Sequence, residues 1–203
     1  MAGKKIQVTG SGLGLEEALN EAEDFARRLS LDERSGRRLR LLAEETLSMV
    51  RAIVSDFTAD FWLESDGERL CKVHLAAETV MDYVKKQELI EASTQKKNSA
   101  SVGIMGKIRD IIENSCYGVS YTGGISGVHT FGMVGMGGMM APPQDAYLWS
   151  LTQYRQDLQA AEEDPETAEL LDELEKSIVA AIADNITVSV TGNRVEMVIE
   201  KQF

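Results

Sequence analysis

Cysteine and histidine are both scarce in this sequence, with two of each among 203 residues. Cys71 and Cys116 are too few and too far apart for a metal cluster or a disulfide framework. His74 and His129 could in principle serve as bases for a cysteine nucleophile, but no third group that would orient such a pair stands out. We therefore predict buried structural thiols and no metal site.

Long apolar runs are missing as well. No stretch approaches the roughly 20 apolar residues that are needed to cross a bilayer. Residues 1–8 form a short basic segment without the apolar region of a signal peptide. The sequence therefore predicts a cytoplasmic protein that does not bind a membrane.

Basic side chains are outnumbered, with 21 against 33 acidic ones and a net charge of -12. A nucleic acid could be bound only through a local basic patch, so nucleic-acid binding is not expected. A chain of 203 residues with 43% hydrophobic residues can bury one substantial core. We predict a single domain over residues 1–203.

What the sequence does contain is a clear succession of strand and helix patterns. Residues 4–9 alternate like a strand and lead into a glycine-rich stretch over 10–14. That stretch is predicted to be a plain turn, because the third glycine of a dinucleotide-binding loop is absent. Apolar residues at helical spacing predict a helix over 15–29 and a longer one over 32–54, with Asp32 as the N-cap of the second.

Two antiparallel hairpins are also predicted. The first joins strands 57–64 and 69–75 through an Asp-Gly turn, and the second joins strands 186–190 and 195–199. Together with the helices they predict an α/β two-layer sandwich, in which helices cover one face of a mixed or antiparallel sheet. No internal repeat is found in the sequence.

Between the hairpins the patterns are helical or irregular. Helices are predicted over 78–95, from 102 onward, and as a helical hairpin over 145–184. A Gly/Met-rich insertion over 117–143 has almost no charge. Its glycines and methionines could form a mobile lid or interaction loop, or the methionines could simply pack against the core.

The long second helix carries the sequence LLAEETLSM at residues 41–49. It resembles the first ATP-site motif of the histidine-kinase-like (GHKL) ATPases, most closely that of bacterial anti-sigma-factor serine kinases, where a glutamate is followed four residues later by asparagine. Residues four apart share one helix face, so the resemblance implies that Glu45 is the catalytic residue. Met49 replaces the asparagine that holds magnesium, and a thioether is a poor ligand for this cation.

Two further motifs extend the resemblance. An aspartate followed by spaced glycines reads the adenine in the family, and the matching place here is 75–79, which offers only a glutamate. A glycine-rich turn at a helix start receives the phosphates, and 99–107 resembles it; the alternative is a helix with a small residue near its start. The residues implied to bind ATP are Glu78, Ser101, Gly103, Gly106 and Lys107.

Two functional hypotheses remain. The resemblance implies a Bergerat-like fold and a regulatory ATP-binding protein, a degenerate kinase-like ATPase with weakened or lost catalysis. Its partners would be a sigma-factor-like or anti-anti-sigma-like regulator and a second copy in a homodimer. The alternative is a non-catalytic protein-binding module with a closed nucleotide pocket, which Met49 and the missing aspartate-glycine motif favour. A catalyst unrelated to ATP has no recognisable residue spacing to support it.

Overall fold

The computed structural model describes both ends of the chain. The described residues are 1–53, 58–67, 69–78, 146–160, 170–172, 174–175, 177–191 and 194–203. Their elements are β1 (Ile6–Thr9), α1 (Leu15–Arg28), α2 (Glu33–Ile53), β2 (Thr58–Ser65), β3 (Leu70–Glu78), β4 (Ala146–Ser150), α3 (Leu151–Ala160), α4 (Ile178–Ile182), β5 (Asn185–Thr191) and β6 (Arg194–Gln202). Within these ranges, no helix has the length and apolar character that crossing a membrane requires.

The strands form one sheet in the order β1-β2-β3-β6-β5-β4. Each neighbouring pair is antiparallel. The two hairpins meet at the centre, where β3 and β6 pair from Leu70↔Gln202 to Glu78↔Arg194. The helices pack on one face of this sheet, which confirms the predicted α/β two-layer sandwich.

Alternation along the strands builds the core. Side chains point in turn to opposite faces of a strand, so Phe61 and Leu63 of β2 face the helices together with Val73 and Leu75 of β3. They belong to one cluster of buried residues that extends to Ile186 and includes side chains from every element. The largest fully buried members are Phe25, Phe61, Leu39, Leu42, Leu63, Leu75, Leu151, Ile186, Ile199 and Val8.

Local chemistry fixes where the two long helices begin. Gly14 precedes α1 with a φ of +77°, and a Cβ at this position would lie 2.1 Å from the carbonyl oxygen of Gln7. Only glycine fits this left-handed and crowded position, so the glycine-rich stretch is a structural turn, as predicted. The Asp32 side chain accepts hydrogen bonds from the backbone N–H of Ser35 at 3.0 Å and from its hydroxyl at 2.9 Å. The predicted N-cap of α2 is confirmed.

The first hairpin extends beyond its predicted end. β3 continues to Glu78, whereas the sequence predicted a strand ending at residue 75 and a helix from residue 78. Ala76 and Ala77 have good helix propensity, yet they pair with Glu196 and Val195 of β6. Sheet pairing outweighs the local preference at these positions. Residues 79–95 lie outside the described residues.

The predicted helical hairpin over 145–184 is wrong at its start, because Ala146–Ser150 is the strand β4. β4 pairs with β5 over its whole length, from Ala146↔Thr191 to Ser150↔Thr187. The apolar spacing from Leu148 to Leu151 resembles a helix, but Leu148 is exposed and Trp149 is buried, as alternation in a strand requires. The helix α3 begins at Leu151, directly after β4, and its predicted apolar positions Leu151, Tyr154 and Leu158 are buried.

The strand order of the described sheet is symmetric. Exchanging β1 with β4, β2 with β5 and β3 with β6 gives the same order read from the other edge. The described helical residues do not follow this symmetry, because 170–172 and 174–175 are also helical and lie between α3 and α4. The central ladder has the same symmetry, since Leu70↔Gln202 and Glu78↔Arg194 are its two ends.

Candidate functional site

Glu45, the residue predicted to be catalytic, lies on α2 and is half-buried. Its neighbour Thr46 is buried and donates a hydrogen bond from its hydroxyl to the carbonyl oxygen of Leu42 at 2.6 Å. In the part of the chain that the structure describes, no hydrogen bond or ion pair engages the Glu45 carboxylate. Glu45 therefore lies in the helical layer, and its carboxylate has no partner among the described residues.

Glu78, predicted to contact adenine, is the exposed last residue of β3 and lies opposite Arg194 of β6. The inward residues of β3 have odd numbers, so alternation directs Glu78 to the face away from the helices. Glu45 and Glu78 thus lie in different layers and are not brought together.

The other predicted ATP-binding residues have no described position. Ser101, Gly103, Gly106 and Lys107 all lie outside the described residues. Among the residues that are described, no group of three or more histidine, cysteine or acidic side chains is placed to hold a metal ion. ATP binding and the accompanying magnesium stay predictions.

Cys71 and His74 cannot act as a nucleophile and its base. They are three residues apart on β3 and therefore point to opposite faces of the sheet. Cys71 is buried in the core, and burial raises the pKa of its thiol to about 11. The prediction of a structural thiol is confirmed for Cys71, while Cys116 and His129 lie outside the described residues.

The sheet face opposite the helices carries a cluster that the sequence analysis did not identify. This surface, here called the polar face, presents the residues of β2, β3 and β6 that alternate with the core positions. They are Thr58, Asp60, Trp62, Glu64, Leu70, Lys72, His74, Ala76, Glu78, Arg194, Glu196, Val198, Glu200 and Gln202, and the face also includes Lys5, which precedes β1. The alternation along each strand could have identified some of these residues. It could not have identified which residues of different strands lie next to each other.

An aromatic pair lies at the centre of the polar face. The rings of Trp62 and His74 stack with their centroids 4.7 Å apart and an interplanar angle of 10°. They meet because Trp62 of β2 lies directly opposite His74 of β3. The Nζ atom of Lys5 lies 5.3 Å from the centre of the Trp62 ring, close enough for a cation–π contact.

Two carboxylates approach the imidazole without binding it. The Nε2 atom of His74 lies 3.5 Å from Glu64, and its Nδ1 atom lies 3.7 Å from Glu196. Both nitrogen atoms are buried and have no hydrogen-bond partner among the described residues. Burial lowers the pKa of His74 despite the attraction of both carboxylates. The imidazole is therefore neutral near pH 7.

Charged side chains surround this aromatic pair. Lys5 pairs with Asp60 at 2.7 Å, Lys72 pairs with Glu200 at 2.6 Å, and Trp62 donates its indole N–H to Glu64 at 3.0 Å. In total the polar face carries five carboxylates against three cations. The five are Asp60, Glu64, Glu78, Glu196 and Glu200, and the three are Lys5, Lys72 and Arg194. The surface therefore has a half-buried aromatic centre and an acidic rim.

Comparison with known proteins finds no match for this chain among family models, curated proteins or solved structures.

Proposed function

We propose that this chain is a non-catalytic protein-binding module that holds a basic segment of its partner on the polar face. The observation that carries this proposal is the stacked pair Trp62–His74 inside a rim with more carboxylates than cations. Protein interfaces commonly place an aromatic anchor at the centre and polar groups around it. Under the resemblance to anti-sigma-factor kinases, the partner would be a sigma-factor-like or anti-anti-sigma-like regulator.

The chemistry of the face favours a cationic ligand. Its rim has two more negative than positive side chains, and the whole chain carries a charge of -12. The position of Lys5 over the Trp62 ring provides an internal example of a cation held there. An arginine of the partner would contact the same indole and pair with Glu64 or Glu196.

Tryptophan fluorescence offers a direct test. The chain has two tryptophans, of which Trp149 is buried in the core and Trp62 is half-buried on the polar face. We expect an oligo-arginine peptide at physiological ionic strength to change the emission of Trp62 in a saturable manner. Trp62→Ala should weaken the binding of this peptide, measured by calorimetry, by about tenfold, as expected for an interface anchor.

General attraction between opposite charges must be separated from binding at this face. We would compare two double variants. The first combines Glu64→Gln and Glu196→Gln, and the second combines Glu16→Gln and Glu44→Gln. Each pair removes two exposed or half-exposed carboxylates, but the second lies on the helices. The proposal requires that only the first pair weakens binding. Equal weakening by both pairs would contradict it.

Nucleotide binding is a second candidate function, supported by the half-buried carboxylate of Glu45, which has no partner in the part of the chain that the structure describes. Under this proposal Glu45 orients the group that attacks the terminal phosphate, and Glu45→Gln abolishes any slow ATP hydrolysis while ATP still binds. Calorimetry with ATP and magnesium at millimolar concentration checks the binding itself. The absence of any binding heat would remove this candidate and leave the first one unaffected.

A further inference from the structure

The described sheet ends at two strands with unpaired outer edges, β1 and β4. An edge strand exposes backbone N–H and C=O groups that can pair with another chain, and proteins usually protect such edges with charged side chains. The two edges are counterparts in the symmetric strand order of the sheet. Their protection can therefore be compared directly.

The β1 edge is protected by charge. Lys4 and Lys5 precede this strand and pair with Glu17 and Asp60, respectively. Both apolar residues of the strand, Ile6 and Val8, point into the core and are buried. A second chain that approached this edge would meet two lysines and no exposed apolar side chain.

The β4 strand carries no charge of its own, and its nearest charged neighbour on the N-terminal side, Asp145, lies outside the described residues. Its sequence, Ala-Tyr-Leu-Trp-Ser, contains neither a charged residue nor proline, and the neighbouring strand β5 is also free of charge. Leu148 is 51% exposed on the same side of the sheet as the polar face, whereas Trp149 is 2% exposed and lies in the core. The chain as a whole has a charge of -12, yet one end of its described sheet is an uncharged strand with an exposed leucine.

We propose that two copies of this chain pair antiparallel through their β4 edges, about a two-fold axis at Leu148. This axis places Leu148 beside Leu148 of the second copy and Ala146 opposite Ser150. No like charges face each other in this arrangement, although both copies are strongly acidic. The result is a continuous sheet with six strands from each copy.

A second copy fits this edge better than a charged partner does. Neither β4 nor β5 contains a charged residue. A basic or acidic segment of a partner would therefore gain no electrostatic attraction from these two strands. Pairing about a two-fold axis also covers the β4 edge of each copy and closes the assembly as a dimer. Because only five residues of each copy pair, we expect a dissociation constant in the micromolar range.

Sedimentation equilibrium measures this association directly. We expect the mass to rise from 22.3 kDa toward twice that value as the protein concentration increases. Leu148→Lys places two like charges side by side at the axis and should weaken dimerisation by at least about tenfold. Gln7→Lys adds the same charge to an exposed position at the β1 edge and should leave the dimer unchanged.

A charge exchange tests the axis itself. Leu148→Lys and Leu148→Glu should each be monomeric alone, and an equal mixture should regain the dimer because opposite charges then meet at the axis. This recovery also shows that both variants fold. A wild-type chain that stays monomeric, a dimer that survives Leu148→Lys, or an equal loss with Gln7→Lys would overturn the proposal. It is independent of the proposed function, since Trp62 lies in the other half of the sheet.

Discussion

At the centre of the polar face, two opposing influences act on the charge of the His74 imidazole. Glu64 and Glu196 favour the protonated form, but burial disfavours it more strongly and lowers the pKa. His74 is 9% exposed even though it lies opposite the helices, and the stacked Trp62 ring covers one of its faces. Both of its nitrogen atoms are buried and have no hydrogen-bond partner within the described part of the chain.

This balance predicts how stability depends on pH. The folded pKa of His74 is below its ordinary value of about 6.5, so the unfolded chain binds the proton more tightly. The contribution of neutral His74 to the free energy of unfolding is fully present above about pH 6.5, and it is lost as the pH falls toward the folded pKa. His74→Phe keeps the stacked ring, removes both unpaired nitrogens and should raise the free energy of unfolding by about 1 kcal/mol at pH 7.

Urea unfolding at about pH 7.5 and pH 5.5 checks this prediction. The loss of stability between the two values should be smaller in His74→Phe than in the wild type. The same replacement at His129, the other histidine of the chain, serves as the control. An identical pH dependence in wild type and His74→Phe would show that His74 does not titrate as its surroundings require.

At the scale of elements, α2 depends on a local signal at its N-terminus. The Asp32 carboxylate accepts two hydrogen bonds from Ser35, and these bonds lower its pKa. Asp32→Ala removes the acceptor and should lower the melting temperature by a few degrees, whereas Asp32→Asn keeps a side-chain oxygen and should remain close to the wild type. Differential scanning calorimetry distinguishes the two. Equal losses in both variants would mean that the carboxylate does more than cap the helix.

The elements that the sequence predicted correctly are those with a strong periodic pattern. α1, α2 and both hairpins have apolar residues at a regular spacing and polar turns at their ends. β4 was missed because Leu148 and Leu151 fit a helix equally well, and only the pairing with β5 decides between the two structures. The end of β3 was missed because Ala76 and Ala77 favour a helix until β6 is placed beside them.

The candidate site was even less visible in the sequence. Trp62 and His74 are twelve positions apart and meet only through the register of β2 and β3, which the turn after Ser65 determines. Alternation predicts that both side chains leave the core, but it does not predict that they stack. Glu45 could be selected by its motif, since residues on one helix share a face without help from other elements.

At the scale of the whole molecule, the two halves of the described sheet share a single core. The buried cluster includes Phe61 from the first half and Ile186 from the second. β3 and β6 join the halves by a continuous ladder of nine paired positions. Neither half of the sheet can open without exposing apolar side chains of the other, so the described parts of the chain should unfold as one cooperative unit.

Ile186→Ala tests this cooperativity. Ile186 is 0% exposed, and its truncation should lower the free energy of unfolding by about 2–5 kcal/mol. Native-state hydrogen exchange should then show the same loss of protection in β2 of the first half as in β5, where the substitution lies. Ile178→Ala makes the same chemical change at a residue that is 53% exposed, and it should cost less than about 0.5 kcal/mol. If the amides of β2 and β3 kept their protection while those of β5 and β6 lost it, the halves would be independent units, and the ladder between β3 and β6 would not couple them.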